Sequence, residues 1–293
     1  MPPRSSARGD LALLLCAFTW GATFPAVRLA LQDASPLTLL AVRFLLAAAV
    51  VAIPAWKLGP SALRAALRWG LSLGVVLALA FAAQTFGLAA IGPSRSAFLT
   101  AFYVVFTPVC EWLLIGRPPA RRLWFAAFVT FGGGALMTGA GFTGAIGAGD
   151  VWTLICAALF ALHLVMVTMA LRRHDNFQIL FLQVAVCGAA CAAVAPIAEL
   201  PRYDLNARSI GLVLFLSVVA TIGALWLQNY GQARTTATRA AVLFATEPVW
   251  AAAFSYLAGD RLSGREILGA SVVFSGVLLA TLPARSRVNE RNL

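Results

Sequence analysis

Long uninterrupted apolar runs, separated by short clusters of charge, proline and glycine, fill the chain from about residue 10 onward. They fall at 10–30, 36–56, 68–91, 95–115, 121–139, 150–170, 177–197, 209–231, 237–257 and 265–283. Crossing the hydrocarbon core of a bilayer takes about 20 apolar residues in a helix. A helix also satisfies its own backbone hydrogen bonds, which lipid cannot do. The pattern therefore predicts an all-α integral membrane protein with ten transmembrane helices. The strict alternation of a membrane barrel is absent. Gly92-Pro93, Gly116-Arg117-Pro118-Pro119, Arg172-Arg173-His174-Asp175-Asn176 and the polar segment 199–208 separate neighbouring runs, because proline cannot continue a helix and charge is costly in lipid. The shortest break is 232–236. The first run is longer than a signal-peptide core and is read as retained.

Composition agrees with lipid as the solvent: 61% of residues are hydrophobic and 11% charged, against roughly 25% charged in soluble domains. The net charge of +11 would suggest nucleic acid in a soluble chain. Here the basic residues lie between apolar runs, so the membrane surface explains them and no nucleic-acid partner is expected. With the N-terminus inside, Arg4, Arg8, Lys57, Arg64, Arg68, Arg117, Arg121, Arg122, Arg172, Arg173, Arg234, Arg285, Arg287 and Arg291 fall on the cytoplasmic side. Only Arg95, Arg202, Arg208, Arg261 and Arg265 fall outside. The bias places both termini in the cytoplasm. Arginine outnumbers lysine 21 to 1, which points to a GC-rich bacterium and hence to its inner membrane. The five cysteines sit inside apolar runs without metal-ligand spacing to a histidine. No metal or cofactor is expected.

The chain repeats itself. Gly9-Asp10, Leu14, Cys16 and Ala17 recur 140 positions later as Gly149-Asp150, Leu154, Cys156 and Ala157. Leu114, Gly116, Arg122, Phe131, Gly133 and Leu136 recur 143 positions later as Leu257, Gly259, Arg265, Phe274, Gly276 and Leu279. The halves are 1–145 and 146–293, five spans each. An odd number of spans forces the second half into the membrane from the opposite side. Inverted repeats are common in secondary transporters, with the substrate site near the midplane between halves. Pro108 and Pro248 occupy corresponding helices and are candidate hinges.

Trp20-Gly21-Ala22-Thr23-Phe24-Pro25, Arg43-Phe44, the run from Ser94-Arg95-Ser96 to Thr107-Pro108, Glu247-Pro248 and Gly259-Asp260 resemble the EamA repeat of the drug/metabolite transporter superfamily. Over the whole chain the sequence is most similar to bacterial exporters of aromatic amino acids of the YddG type. That resemblance implies ten helices, cytoplasmic termini and a central cavity lined by spans one to four and six to nine. It also implies amino acids as the small-molecule substrate. The chain departs from many EamA repeats at Arg117 and Asp260, where glutamate is usual.

Polar groups within spans mark candidate chemistry, since they usually face the interior. Trp20, Gln84, Tyr103, Phe160, His163, Gln228 and Tyr230 are candidate substrate-binding residues. Amides and hydroxyls can bond an amino acid's charged ends, and the rings can take an aromatic side chain. His163 titrates near neutrality when unperturbed and could couple a proton. Arg43, Glu111 and Glu247 are candidate coupling or structural charges, with Arg43 and Arg239 as possible partners of the glutamates. A drug or other metabolite carrier is the alternative within transport. An integral membrane enzyme is a further alternative, though no HExxH, GxSxG or paired-aspartate motif lies within a span. The bilayer is the one macromolecular surface expected, and the chain is read as a monomer.

Overall fold

The computed structural model describes residues 7–91, 93–138, 146–257 and 263–282. Arg4, Gly92, Gly259, Asp260, Arg261 and the C-terminal Arg285, Arg287 and Arg291 lie outside the described residues. The described chain is helical: α1 Ala7–Gly21, α2 Thr23–Ala30, α3 Pro36–Trp56, α4 Pro60–Ala90, α5 Pro93–Thr100, α6 Tyr103–Ile115 and α7 Arg121–Thr138 in the first half. The second half contains α8 Ala148–Ala170, α9 Asn176–Ala198, α10 Ala207–Leu214, a π-helical stretch Phe215–Gly223, α11 Ala224–Gln232, α12 Ala237–Phe244, α13 Glu247–Leu257 and α14 Gly264–Thr281. Eight helical stretches among the described residues are long and apolar enough to cross a membrane. The fifth and ninth expected spans, α7 and α12–α13, are not among them. α7 opens on Arg121-Arg122 and spends three residues on glycine, and α12–α13 carries Arg239 and Glu247.

α4 begins eight residues before the expected span, so Arg64 and Arg68 are helical and not in a loop. Pro60 stands in its first turn, where a missing N–H costs nothing. Gln232, expected in a break, is the last residue of α11 and is buried, donating to the Leu164 carbonyl (2.8 Å) and Thr168 Oγ1 (2.9 Å). Asp175, Asn206, Thr236 and Ser263 cap α9, α10, α12 and α14 through side-chain oxygens that accept from the first turn.

Close helix approach uses small residues. α7 packs along α14, and a Cβ added at Gly133 would lie 2.6 Å from the Val273 amide nitrogen and 2.7 Å from the Gly269 carbonyl. The start of α8 meets the end of α4, where Gly149 lies against Ala90 and Ile91. Arg28, near the end of α2, donates to the carbonyls of Leu88 and Ala89 at that same end. α8 therefore begins where α2 ends.

Ion pairs cross between the halves. Arg95 at the start of α5 donates to Asp150 at the start of α8 (2.5 Å), and Arg239 at the start of α12 donates to Asp10 at the start of α1 (2.7 Å). Each pair joins the first helix of one half to the fourth run of the other, at opposite ends of the bundle. The segment 199–208, expected only as a polar break, clasps the α2–α3 turn. Ser35 N–H donates to the Arg202 carbonyl (2.9 Å) and Asp204 N–H to the Asp33 carbonyl (2.7 Å). Arg208 forks onto Asp33 (2.7 and 2.9 Å), and Glu199 accepts from the N–H groups of Leu37 and Thr38 at the start of α3.

Candidate functional site

Four of the long runs are not continuous helices. The first breaks at Ala22, the fourth at 101–102 and the ninth at 245–246, while the eighth is wound as a π-helix over Phe215–Gly223. Each break has a proline within one or two turns downstream: Pro25, Pro108 and Pro248. The proline withdraws a donor from the ladder and leaves an upstream carbonyl without its usual partner. At the fourth run the break itself is spanned by three-residue bonds, Phe102 N–H to Leu99 O (3.2 Å) and Val104 N–H to Ala101 O (3.1 Å). Pro248 lies in the first turn of α13 directly after its break, whereas Pro108 sits inside α6, beyond the discontinuity it accompanies. Gly21 lets the first break close on α13, since a Cβ there would come within 2.8 Å of the Trp250 Cβ.

The breaks surround a cavity with about 640 Å³ of space between its atoms, part of it open to solvent. Trp20, Thr23 and Phe24 reach it from the first break, Thr100 and Tyr103 from the fourth run, and Phe244 and Glu247 from the ninth. Val27 of α2, Arg43 of α3, Leu77, Phe81 and Gln84 of α4, Phe160, His163 and Leu164 of α8, and Leu225 and Gln228 of α11 complete it. Among the described residues, none that lines it comes from α7, α9 or α14. Irregular backbone in a membrane interior is tolerated where it lines a cavity.

One wall is aromatic. Phe81 meets Phe160 edge-on at 5.2 Å and Phe44 at 5.0 Å, and Trp20 meets Phe244 at 5.3 Å. Trp20 Nε1 donates to the Ala220 carbonyl (3.2 Å). That carbonyl lies in the π-helical stretch, where the ladder is loosened. The same stretch holds Arg43, whose Nε donates to Thr221 Oγ1 (2.7 Å), with Nη2 at 3.5 Å from the Ala220 carbonyl. The guanidinium lies 5.1 Å from the centre of Phe44 and 5.0 Å from that of Phe81. Arg43 is 2% exposed.

Among the expected site residues, Trp20, Gln84, Tyr103, Phe160, His163, Gln228, Arg43 and Glu247 come together at this cavity. Tyr230 does not. It stacks on Trp226 at 5.5 Å with the Arg234 guanidinium 3.6 Å over its ring, because it points away from Gln228 on α11. Glu111 does not reach the cavity either. It is buried and accepts from Thr238 N–H (2.8 Å) and from the Thr238 hydroxyl, closing the start of α12. The glutamates pair with neither arginine: Arg239 takes Asp10, Arg43 takes Thr221, and Glu247 Oε1 accepts from the Tyr103 hydroxyl at 3.3 Å.

His163 Nε2 lies 2.9 Å from Gln183 Oε1 of α9, a bond from a buried ring to a buried amide. Gln228 donates to Gln232 Oε1 (2.8 Å), while its own buried Oε1 has no hydrogen-bond partner. Val27, Leu77, Phe81, Leu164, Leu225 and Phe244 line the cavity without having been singled out in the sequence, because apolar residues in apolar runs carry no mark. Phe244 alone had one, lying one turn before Glu247-Pro248.

The sequence model of the EamA-like transporter family matches residues 7–139 and again 147–282. An uncharacterised transporter of Archaeoglobus fulgidus is 28% identical over 277 residues, covering 93% of this chain and 85% of its own. The uncharacterised transporter YwfM of Bacillus subtilis is 24% identical over 296 residues, covering 95% of each chain. One solved structure shares the fold with a TM-score of 0.79 at 17% identity, over 94% of this chain and 97% of that one.

Proposed function

The chain belongs to the EamA-like transporter family, and from that premise we propose that it exports amino acids, aromatic ones foremost, across the bacterial inner membrane. The observation that carries this is the cavity at the helix breaks, of about 640 Å³ and walled by Trp20, Phe81, Phe160 and Phe244. Its rings suit an aromatic or branched side chain. Gln84, Tyr103 and Gln228 offer hydrogen bonds to the polar end.

Transport proceeds by alternating access. The halves are inverted five-helix repeats of a ten-span monomer with both termini in the cytoplasm, and motion is taken up at the breaks beside Pro25, Pro108 and Pro248. The crossed pairs Arg95–Asp150 and Arg239–Asp10 support the inversion, since the same two helices of each half are joined at opposite ends. Uptake of labelled amino acids by liposomes holding the purified protein tests this reading. Gln84→Ala and Tyr103→Phe are expected to change rate or affinity. Unchanged kinetics in both would remove these residues from the substrate path.

A further inference from the structure

We propose that Arg43 is the carboxylate-binding residue of the cavity, and that Glu247 with Tyr103 binds an ammonium group, so that the site selects zwitterions. This rests on the transport reading above and names the chemistry of its site.

Arg43 is buried at the cavity wall, and no carboxylate lies within ion-pair distance of it among the described residues. A guanidinium offers five N–H donors. Here one makes a short bond, to Thr221 Oγ1 (2.7 Å), and another reaches the Ala220 carbonyl only at 3.5 Å. The rings of Phe44 and Phe81 hold the group in place, but ring faces offset only part of the cost of a buried cation. A carboxylate arriving in the cavity supplies what is lacking, and the planar fork matches its two oxygens.

The opposite sign is present on the same cavity. Glu247 is the first residue of α13, where the helix N-terminus favours negative charge. Among the described residues, its one hydrogen bond to a side chain is the 3.3 Å contact from Tyr103. Two unpaired groups of opposite sign, on separate helices and facing one cavity, fit a ligand carrying both charges. Among the residues lining the cavity the other ionisable side chain is His163, and it is tied to Gln183.

The test is a titration of the purified, detergent-solubilised protein with four probes sharing one ring. Tryptophan carries both charges, tryptamine lacks the carboxylate, indole-3-propionate lacks the ammonium, and 3-methylindole lacks both. Lactate and succinate are added as carboxylates without a ring. Tryptophan is expected to bind best. Arg43→Gln is expected to weaken tryptophan and indole-3-propionate by about 10- to 100-fold while sparing tryptamine, and Arg43→Lys to lose less. Glu247→Gln should weaken tryptophan and tryptamine and spare indole-3-propionate. Tryptophan and tryptamine binding the wild type alike, or Arg43→Gln weakening all ring probes equally, would overturn the proposal. That ranking needs no variant, so it decides even where Arg43→Gln does not fold. If lactate or succinate binds in an Arg43-dependent way and tryptophan does not, the carboxylate site stands and the amino-acid reading falls. Binding of no carboxylate at all would refute the site and leave the family membership intact.

Discussion

At the residue scale, the buried charges divide into those that hold the fold and those that face the cavity. Glu111 belongs to the first kind. It closes the start of α12 through Thr238 N–H and the Thr238 hydroxyl, so Glu111→Ala leaves both donors buried and unsatisfied. The expected loss is about 1–3 kcal/mol, read as a lower melting temperature of the purified protein with its oligomeric state unchanged. Asp33 belongs to the first kind as well. The hydrogen bond from Arg208 holds its carboxyl below the usual range, with Asn206 adding to the effect. Burial pushes Glu199 up, but donors from Leu37, Ser35 and Thr38 outweigh it and leave the carboxyl lowered. Both folded-state values are thus depressed. Their contribution is complete above the unfolded value near 4 and is lost as pH falls through the folded values. The protection of amides at the α2–α3 turn, measured against their intrinsic exchange rates at each pH, should therefore fall below about pH 4, and Asp33→Asn should lower it already at neutral pH. Which of these residues would reach the cavity was partly legible in the sequence. Trp20, Tyr103 and His163 stood out as polar or amphipathic groups in apolar runs. The fate of Glu111 was not legible, because one carboxylate in a span looks the same whether it caps a helix or meets a ligand.

At the scale of elements, the helix lengths followed from hydrophobic thickness, and the long runs were readable to within a few residues. The exceptions have physical causes. α4 extends through Arg64 and Arg68 because arginine stems can lie along a helix surface with the charge in water. The π-helical stretch Phe215–Gly223 leaves no mark in composition, yet it presents the Ala220 carbonyl to both Trp20 and Arg43. α7 packs on α14 through glycine. Gly133→Ala puts a methyl within 2.6 Å of the Val273 nitrogen and 2.7 Å of the Gly269 oxygen, both backbone atoms that cannot step aside. Forced separation of the two helices should cost about 1–3 kcal/mol, again measured by melting. Burial separates the ion pairs that matter from those that do not. The Arg239–Asp10 side chains are 9% and 17% exposed, and those of Arg202–Asp204 are 48% and 56% exposed. Asp10→Asn should therefore lower stability clearly, and Asp204→Asn hardly at all.

At the scale of the whole molecule, the two halves meet on a cavity that neither encloses alone. The internal repeat was the part of this plan that the sequence carried most openly, in Gly9-Asp10 against Gly149-Asp150 and in Phe131, Gly133 and Leu136 against Phe274, Gly276 and Leu279. The aspartates of the first match prove to be partners in the crossed ion pairs. What the sequence did not reveal is where the helices break, and it is the breaks that bring Thr23, Phe24, Tyr103, Phe244 and Glu247 to one space. Under the proposed function this space is the path of a transported amino acid. Counterflow is the decisive test: liposomes containing the reconstituted protein are loaded with unlabelled tryptophan and diluted into a trace of labelled tryptophan. Transient, saturable accumulation of label is expected, which empty liposomes lack and other aromatic amino acids suppress. Label that equilibrates no faster than in empty liposomes, from protein shown to be folded, would contradict it.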